Sequence, residues 1–487
     1  MPDTTTSSTL PFPSLWRFLK HKLPSFIPSI DRSIRATKTG PKTLGPQASS
    51  QQPQQHLTVI QSKGIYHGLP VFPESEDRKG LTAIVTGANG LSGSHMVRVL
   101  AESPERWANV YALSRRAPVV KEGTYANVKH IEMDFLKTEP EKLAKELVER
   151  GVKADYIFFY SYIQVPPKDE GSIWSDAQEL CNANGVLLFN FLKALKLASV
   201  TPKRFMLQTG AKHYGMHLGT ARTPQLESAP RVNIEPNFYY GQEDLLIQYC
   251  QETGAEWNVI RPSFILGAAK DAAMNLAYSL GVFAAVHAHL KKPLVFHGNV
   301  AAFDAIRDLS SAMLDGYLAE WAVLKPDAAN EAFNACDCSA VTSGMLWTRL
   351  AEIYGVEYQV PDPKAEYQIL TMPCDPPRGF GFPEKIEFTY SMAAWAYDPL
   401  VHNAWQELTE KHGLIQNPFT TPAERNRIFG LADTALLGGT PVQFSMDKSR
   451  KLGWHGTVNS FESLRSVLEE LVEMKMLPPL PSSDSTA

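Results

Sequence analysis

Cysteine is scarce in this sequence. The five thiols, Cys181, Cys250, Cys336, Cys338 and Cys374, are too few and too unevenly spaced for a disulfide framework or a four-ligand zinc site, so a reducing compartment and no metal centre are expected. The Cys336-x-Cys338 pair has no matching second pair and is read as two buried thiols. Long apolar runs are missing as well: nothing approaches the roughly 18 to 20 uncharged residues that a membrane span requires, so no transmembrane segment is expected. Neither sign of charge dominates. The 47 basic and 51 acidic residues are well mixed after the N-terminal stretch and leave a net charge of -4, which offers no broad basic face to nucleic acid. There is no internal repeat. What is present is a chain of 487 residues, 44% hydrophobic, able to bury one large core or two unequal ones, with a small molecule as the expected partner and a homodimer left open.

Residues 1–78 differ from the rest. "SLWRFLKHKL" (Ser14 to Leu23) is a short basic amphipathic stretch, and Ser, Thr, Pro and Gln-rich sequence follows it. It reads as a flexible leader. Its basic, acid-poor character also suits a mitochondrial transit peptide or a helix lying on a membrane surface, although the cytoplasm is the expected location. From Leu81 onward, short apolar runs alternate with helical periods: "TAIVTG", "NVYALSRR", "VKHIEMDF", "KADYIFFYS", "RFMLQTG" and "WNVIRPSFI" as strands, with helices between them and others near 272–290 and 308–323. This alternation predicts an α/β fold, a doubly wound parallel sheet over 79–335. Residues 336–475 are less regular and predict a smaller, mostly helical cap interleaved with the core, followed by a flexible tail over 476–487.

Between the first strand and helix, "TGANGLSG" spaces Gly87, Gly90 and Gly93 as Gly-x-x-Gly-x-x-Gly. Small residues there let the backbone approach a pyrophosphate at the positive end of the helix. The end of the second strand selects the dinucleotide, because a carboxylate would hold a free ribose 2′-hydroxyl and a cation a 2′-phosphate. It reads "ALSRRAP". Ser114, Arg115 and Arg116 supply a hydroxyl and two guanidinium groups, so NADP(H) is the expected cofactor. Asp134 and Phe135, closing the third strand, are placed to border the adenine.

A Tyr-x-x-x-Lys pair, in which the lysine favours phenolate, occurs once, as "YANVK" (Tyr125 to Lys129). It lies between the second and third strands, at the adenosine end, and is read as a chance match. The helix after the fifth strand carries "EPNFYYGQED" instead. Four residues beyond Tyr239 and Tyr240 stand Glu243 and Asp244, whose charge would raise a tyrosine pKa, so the cation must come from elsewhere. Lys212 in "LQTGAKHYG", just past the fifth strand, can supply it.

"LQTGAKHYG", "NFYYGQEDLL", "RPSFILG" and "ALSRRAP" together resemble the progesterone 5β-reductase/iridoid synthase-like (PRISE) enzymes, atypical extended short-chain dehydrogenases with a Rossmann core, over about Leu81 to Leu471. The resemblance implies Lys212 and Tyr239 as catalytic residues, with Tyr240 in a packing role. It implies cofactor contacts by Asn89, Gly90 and Leu91, by Arg115, Arg116, Asp134 and Phe135, and by Ser161, Gln208, Tyr239 and Ile265 around the nicotinamide. The leader and the cap sequence "CDPPRGFGFPEKIEFTYSMAAW" differ from plant members, so their substrates are not carried over. The expected activity is NADPH-dependent 1,4-reduction of an enone or enal on a small hydrophobic carbonyl compound. A carbonyl reductase or epimerase on the same scaffold, or a non-catalytic NADP sensor, are the alternatives. Phe380, Phe382, Trp395 and Trp405 are read as core, with an apolar pocket as the competing role.

Overall fold

The computed structural model describes residues 59–73, 75–118, 125–165, 174–270, 272, 274–372 and 383–481. Seven parallel strands form the central sheet: β1 (Leu81–Thr86), β2 (Trp107–Ser114), β3 (Val128–Glu132), β4 (Tyr156–Phe159), β5 (Arg204–Gln208), β6 (Glu256–Pro262) and β7 (Glu331–Ala335). Their spatial order is β3-β2-β1-β4-β5-β6-β7, reversing direction between β1 and β4. That reversal opens a crevice at the carboxyl ends of the strands, where open α/β sheets bind ligands.

Ile84, Val85, Ile157, Phe158, Phe205, Met206 and Leu207 are all fully buried, which is why the central strands read as unbroken apolar runs. Helices α1 (Leu91–Ala101), α2 (Pro140–Glu149), α3 (Ala177–Leu197), α4 (Phe238–Thr253), α5 (Leu276–His289) and α6 (Ala312–Leu324) follow in chain order. Met96 and Val99 of α1 share a core with Met313 and Trp321 of α6 on one face of the sheet. On the other, Leu147 of α2, Phe191 of α3 and Leu246 of α4 pack on Ile84 and Phe205. The doubly wound sheet is as expected.

The cap is built around α5, apolar all round and buried from Leu276 to His287, as a helix enclosed by others must be. Helices α7 (Ser343–Tyr354), α8 (Pro399–His412), α9 (Pro422–Leu436) and α10 (Ser460–Glu473) enclose it. Cap and core therefore interleave, the cap drawing its central helix from before residue 335. Trp395 and Trp405 belong to this cluster: Trp395 lies 4.7 Å from Phe283 and Trp405 is 1% exposed. Phe380, Phe382 and Cys374 lie outside the described residues.

Four further differences concern boundaries. Ile60–Lys63 and Tyr66–Pro70 form a hairpin whose second strand pairs with Thr457–Val458, so two strands lie within the stretch assigned to the leader; "SLWRFLKHKL" lies outside the described residues. Met476 and Leu477, assigned to the tail, are buried against α5, where a Cβ added to Gly281 would come within 2.5 Å of Leu477. The run "WNVIRPSFI" splits, β6 staying in the main sheet while Phe264–Leu266 pairs with Leu309–Ser311. β7, which periodicity passed over, closes the sheet beside β6.

Candidate active site

A cleft of about 540 Å³ opens at the switch between β1 and β4. It is lined by every residue singled out from the sequence: Gly87, Asn89, Gly90, Leu91, Gly93, Ser114, Arg115, Arg116, Asp134, Phe135, Ser161, Gln208, Lys212, Tyr239 and Ile265. Tyr125 and Lys129 are not among its lining residues; Lys129 sits in β3 and donates to Asn109 at 2.8 Å.

At the glycine loop, space is the determining quantity. Gly87 has φ +60, and a Cβ there would come within 2.8 Å of the Tyr160 backbone. On Gly93 a Cβ would meet the Gly87 carbonyl oxygen at 2.2 Å, so the close seating of α1 on the loop requires glycine. Gly90 begins α1 without a side-chain cap, which leaves the N–H groups of the first turn to a ligand. Deeper in, Gln208 Nε2 donates to Ser92 Oγ at 2.9 Å, while Gln208 Oε1 and Thr209 Oγ1 are buried with no hydrogen-bond partner among the described residues. A buried polar atom without a partner costs about 1–3 kcal/mol, so these two fit a polar ligand seated in the cleft. A dinucleotide meets both demands, with phosphates at α1 and polar groups at Gln208 and Thr209.

At the β2 end of the cleft, Arg115 and Arg116 are exposed on the rim. The Ser114 hydroxyl donates to the Arg116 carbonyl at 2.6 Å, so it shapes the turn that presents the arginines. Asp134 Oδ1 accepts the N–H groups of Leu136 and Lys137 at 2.9 and 3.1 Å, a turn-forming role. Phe135 packs against Phe191 with ring centroids 4.8 Å apart and is chiefly a core residue.

The opposite end is built by two segments that meet. Lys212 lies in a single turn, Ala211–Tyr214, directly after β5. Asn237 caps α4, accepting the Tyr239 N–H at 3.1 Å, and its Nδ2 donates to the Lys212 carbonyl at 2.9 Å, tying the lysine segment to the tyrosine helix. Asn237 was not singled out from the sequence; its signal was an N-cap residue ahead of a helical period. The Lys212 ammonium lies 5.1 Å above the Trp174 ring and 5.7 Å above that of Phe238. Burial lowers its pKa to about 8, with Glu235 and Cys181 opposing. Glu235 in turn pairs with His217 at 2.8 Å.

Tyr239 behaves differently from the phenol of a Tyr-x-x-x-Lys pair. Its hydroxyl reaches toward Gly210, where a Cβ would stand 3.0 Å away, so the glycine makes room for it. Burial alone raises its pKa; the Lys212 charge does not lower it, so the group is a neutral hydroxyl at physiological pH. Glu243 and Asp244 leave Tyr239 unaffected because both are neutralised: Glu243 pairs with Arg261 at 3.1 Å and Arg231 at 3.4 Å, and Asp244 with Arg231 at 2.7 Å. Tyr240 turns the other way, donating to the His213 carbonyl at 2.6 Å and accepting the Val232 N–H at 2.9 Å, which is the packing role expected of it.

Sequence reasoning passed over further residues that line the cleft: Tyr162, Trp174, Phe238, Phe264, Lys270, Met274, Leu276, Arg427 and Leu431. Tyr162 and Phe238 adjoin recognised motifs. Arg427 and Leu431 come from α9, more than 180 residues after Tyr239, with no local mark of function.

Over residues 83–367 the chain matches the PRISE-like Rossmann-fold domain. It is 29% identical to (S)-8-oxocitronellyl enol synthase CYC2 of Camptotheca acuminata, covering 81% of this chain and 93% of that protein. With 3-oxo-Delta(4,5)-steroid 5-beta-reductase of Arabidopsis thaliana the identity is 26%, covering 81% and 93%. Among solved structures, the UDP-glucose 4-epimerase of Thermotoga maritima superposes with a TM-score of 0.51 at 16% identity, over 81% of this chain and 99% of that one, a likeness of fold. Glycine loop, sheet order and matched residues agree: the chain belongs to the PRISE-like Rossmann-fold family of short-chain dehydrogenases/reductases and is an oxidoreductase.

Proposed function

We propose that the protein reduces the activated C=C bond of an enone or enal with NADPH, by 1,4-addition. The observation that carries this reading is the Lys212–Asn237–Tyr239 arrangement, which brings a buried neutral hydroxyl and a desolvated cation to the cleft from separate segments. When bound, NADPH supplies a hydride to the β-carbon. The C=C electron pair then moves to the carbonyl oxygen, and the resulting enolate takes a proton from water at its α-carbon, so the carbonyl is kept. Tyr239 donates a hydrogen bond to the oxygen as charge develops there. Lys212 adds positive charge beside the rings of Trp174 and Phe238, which partly desolvate its ammonium. A hydroxyl that is not acidified suits a hydrogen-bond donor better than the proton-shuttling phenolate of ketone reduction.

Arg115 and Arg116 would hold the 2′-phosphate of NADPH, which favours NADP over NAD; an NAD-dependent epimerase would want an acid at that strand end. The activities by which the plant relatives are named agree with enone chemistry. The substrate is a small carbonyl compound suited to a wall of Tyr162, Phe264, Met274, Leu276 and Leu431. Cys181, Cys250, Cys336 and Cys338 are free thiols, in keeping with a cytoplasmic location. Incubation of the purified protein with NADPH and a panel of activated enones tests the proposal. A saturated carbonyl product supports it, an allylic alcohol identifies a carbonyl reductase, and no NADPH oxidation across the panel leaves the non-catalytic sensor.

A further inference from the structure

The positive charge of the cleft extends beyond the cofactor end. Among the described residues that line it, Arg115, Arg116, Lys212, Lys270 and Arg427 are cationic and Asp134 alone is acidic. Arg115 and Arg116 stand at the end of β2, and the pyrophosphate has the uncapped first turn of α1. Lys270 and Arg427 line the same cleft together with Met274, Leu276 and Leu431, and neither belongs to the β2 end or to the first turn of α1.

These two cations are in different situations. Arg427 is engaged: it pairs with Glu424 through Nε at 3.0 Å and through Nη2, and its Nη1 donates to the Ala272 carbonyl at 2.6 Å. It thereby fastens α9 of the cap to the loop that carries Lys270. Lys270 is exposed, lines the cleft, and has no hydrogen bond or ion pair among the described residues. An exposed ammonium, unpaired among the described residues, that lines the same cleft as Tyr239 and the apolar side chains of Met274, Leu276 and Leu431 is suited to an anionic group on an otherwise apolar molecule.

Building on the reductase reading above, we infer that the substrate is amphipathic, an enone or enal bearing a carboxylate remote from the reacting double bond, and that Lys270 selects it by binding this carboxylate. Arg427 is a positioning residue, holding the loop through Ala272.

The test uses a matched probe pair, a medium-chain 2-enal with a terminal carboxylate and the methyl ester of the same molecule, with NADPH and the full chain. The acid is expected to have the higher kcat/KM, its advantage declining as salt is raised. Lys270→Met should lower the acid-to-ester ratio about fivefold, the scale of one exposed ion pair, and Lys270→Glu should lower it further. Lys270→Arg should restore it. An unchanged ratio in Lys270→Met overturns the inference. So does a rise in the KM for NADPH that is equal with both substrates, since the lysine would then serve the cofactor. Turnover of both probes with no preference for the acid sinks this inference alone, whereas turnover of neither sinks the reductase reading with it.

Discussion

Replacing Tyr239 by phenylalanine removes one oxygen from the site and little else. The hydroxyl faces the cleft beside Gly210 and has no hydrogen bond among the described residues, while the ring keeps its packing on Phe238 at 4.4 Å. Stability should therefore move by no more than about 0.5 kcal/mol. The kinetic cost should be far larger, because the hydroxyl is oriented in a buried site before charge appears on the substrate. Loss of one such donor typically costs about 10² to 10³ in kcat, or roughly 3–4 kcal/mol of barrier. The assay is single-turnover oxidation of NADPH with a small enone, followed at 340 nm, beside thermal unfolding of the same preparation. A kcat within about threefold of wild type would remove Tyr239 from the mechanism. A large kinetic loss accompanied by an equal fall in stability would show instead that the residue is structural.

The pH profile should report Lys212: below its pKa of about 8 the side chain is an ammonium, above it a neutral amine, so kcat/KM should be level near neutrality and fall as pH rises through about 8. Lys212→Arg should move that limb to higher pH, and persistence of the limb in Lys212→Met would assign it to another group. Arg115→Ala with Arg116→Ala should abolish the preference for NADPH over NADH by roughly tenfold or more, measured as the ratio of the two kcat/KM values. Gly93→Ala forces a Cβ to within 2.2 Å of the Gly87 carbonyl oxygen and should cost about 1–3 kcal/mol of stability together with cofactor affinity, read by thermal unfolding and NADPH fluorescence.

What was legible in the sequence had local causes. The glycine loop announces itself because close backbone approach excludes side chains, and the central strands because burial on both faces leaves nothing polar. Lys212 and Tyr239 could be paired because one follows a recognisable strand and the other opens a recognisable helix. β7 was missed because "EAFNA" carries Glu331 and Asn334 and is a strand only through pairing with β6. The hairpin over 60–70 was missed for the same reason: Ile60 is 53% exposed, and Thr457–Val458, which pairs with Tyr66 and His67 of the second strand, lies almost four hundred residues later. The forecast that Lys212 would favour ionisation of Tyr239 came from the Tyr-x-x-x-Lys pair and does not carry over, since only burial acts on this phenol.

By itself the sequence determined the doubly wound sheet and the dinucleotide loop, since each follows from residue size, polarity and spacing within one segment, while the family resemblance singled out Tyr239 over Tyr240 as the candidate to act with Lys212. Only the tertiary structure decided the protonation of those groups and the character of the far wall. Desolvation depends on what covers a side chain: Trp174 and Phe238 over Lys212, and Arg427 and Leu431 from α9 across the cleft. Leu431 is brought there by the packing of α9 on α5 in the cap, which no local pattern around Tyr239 encodes.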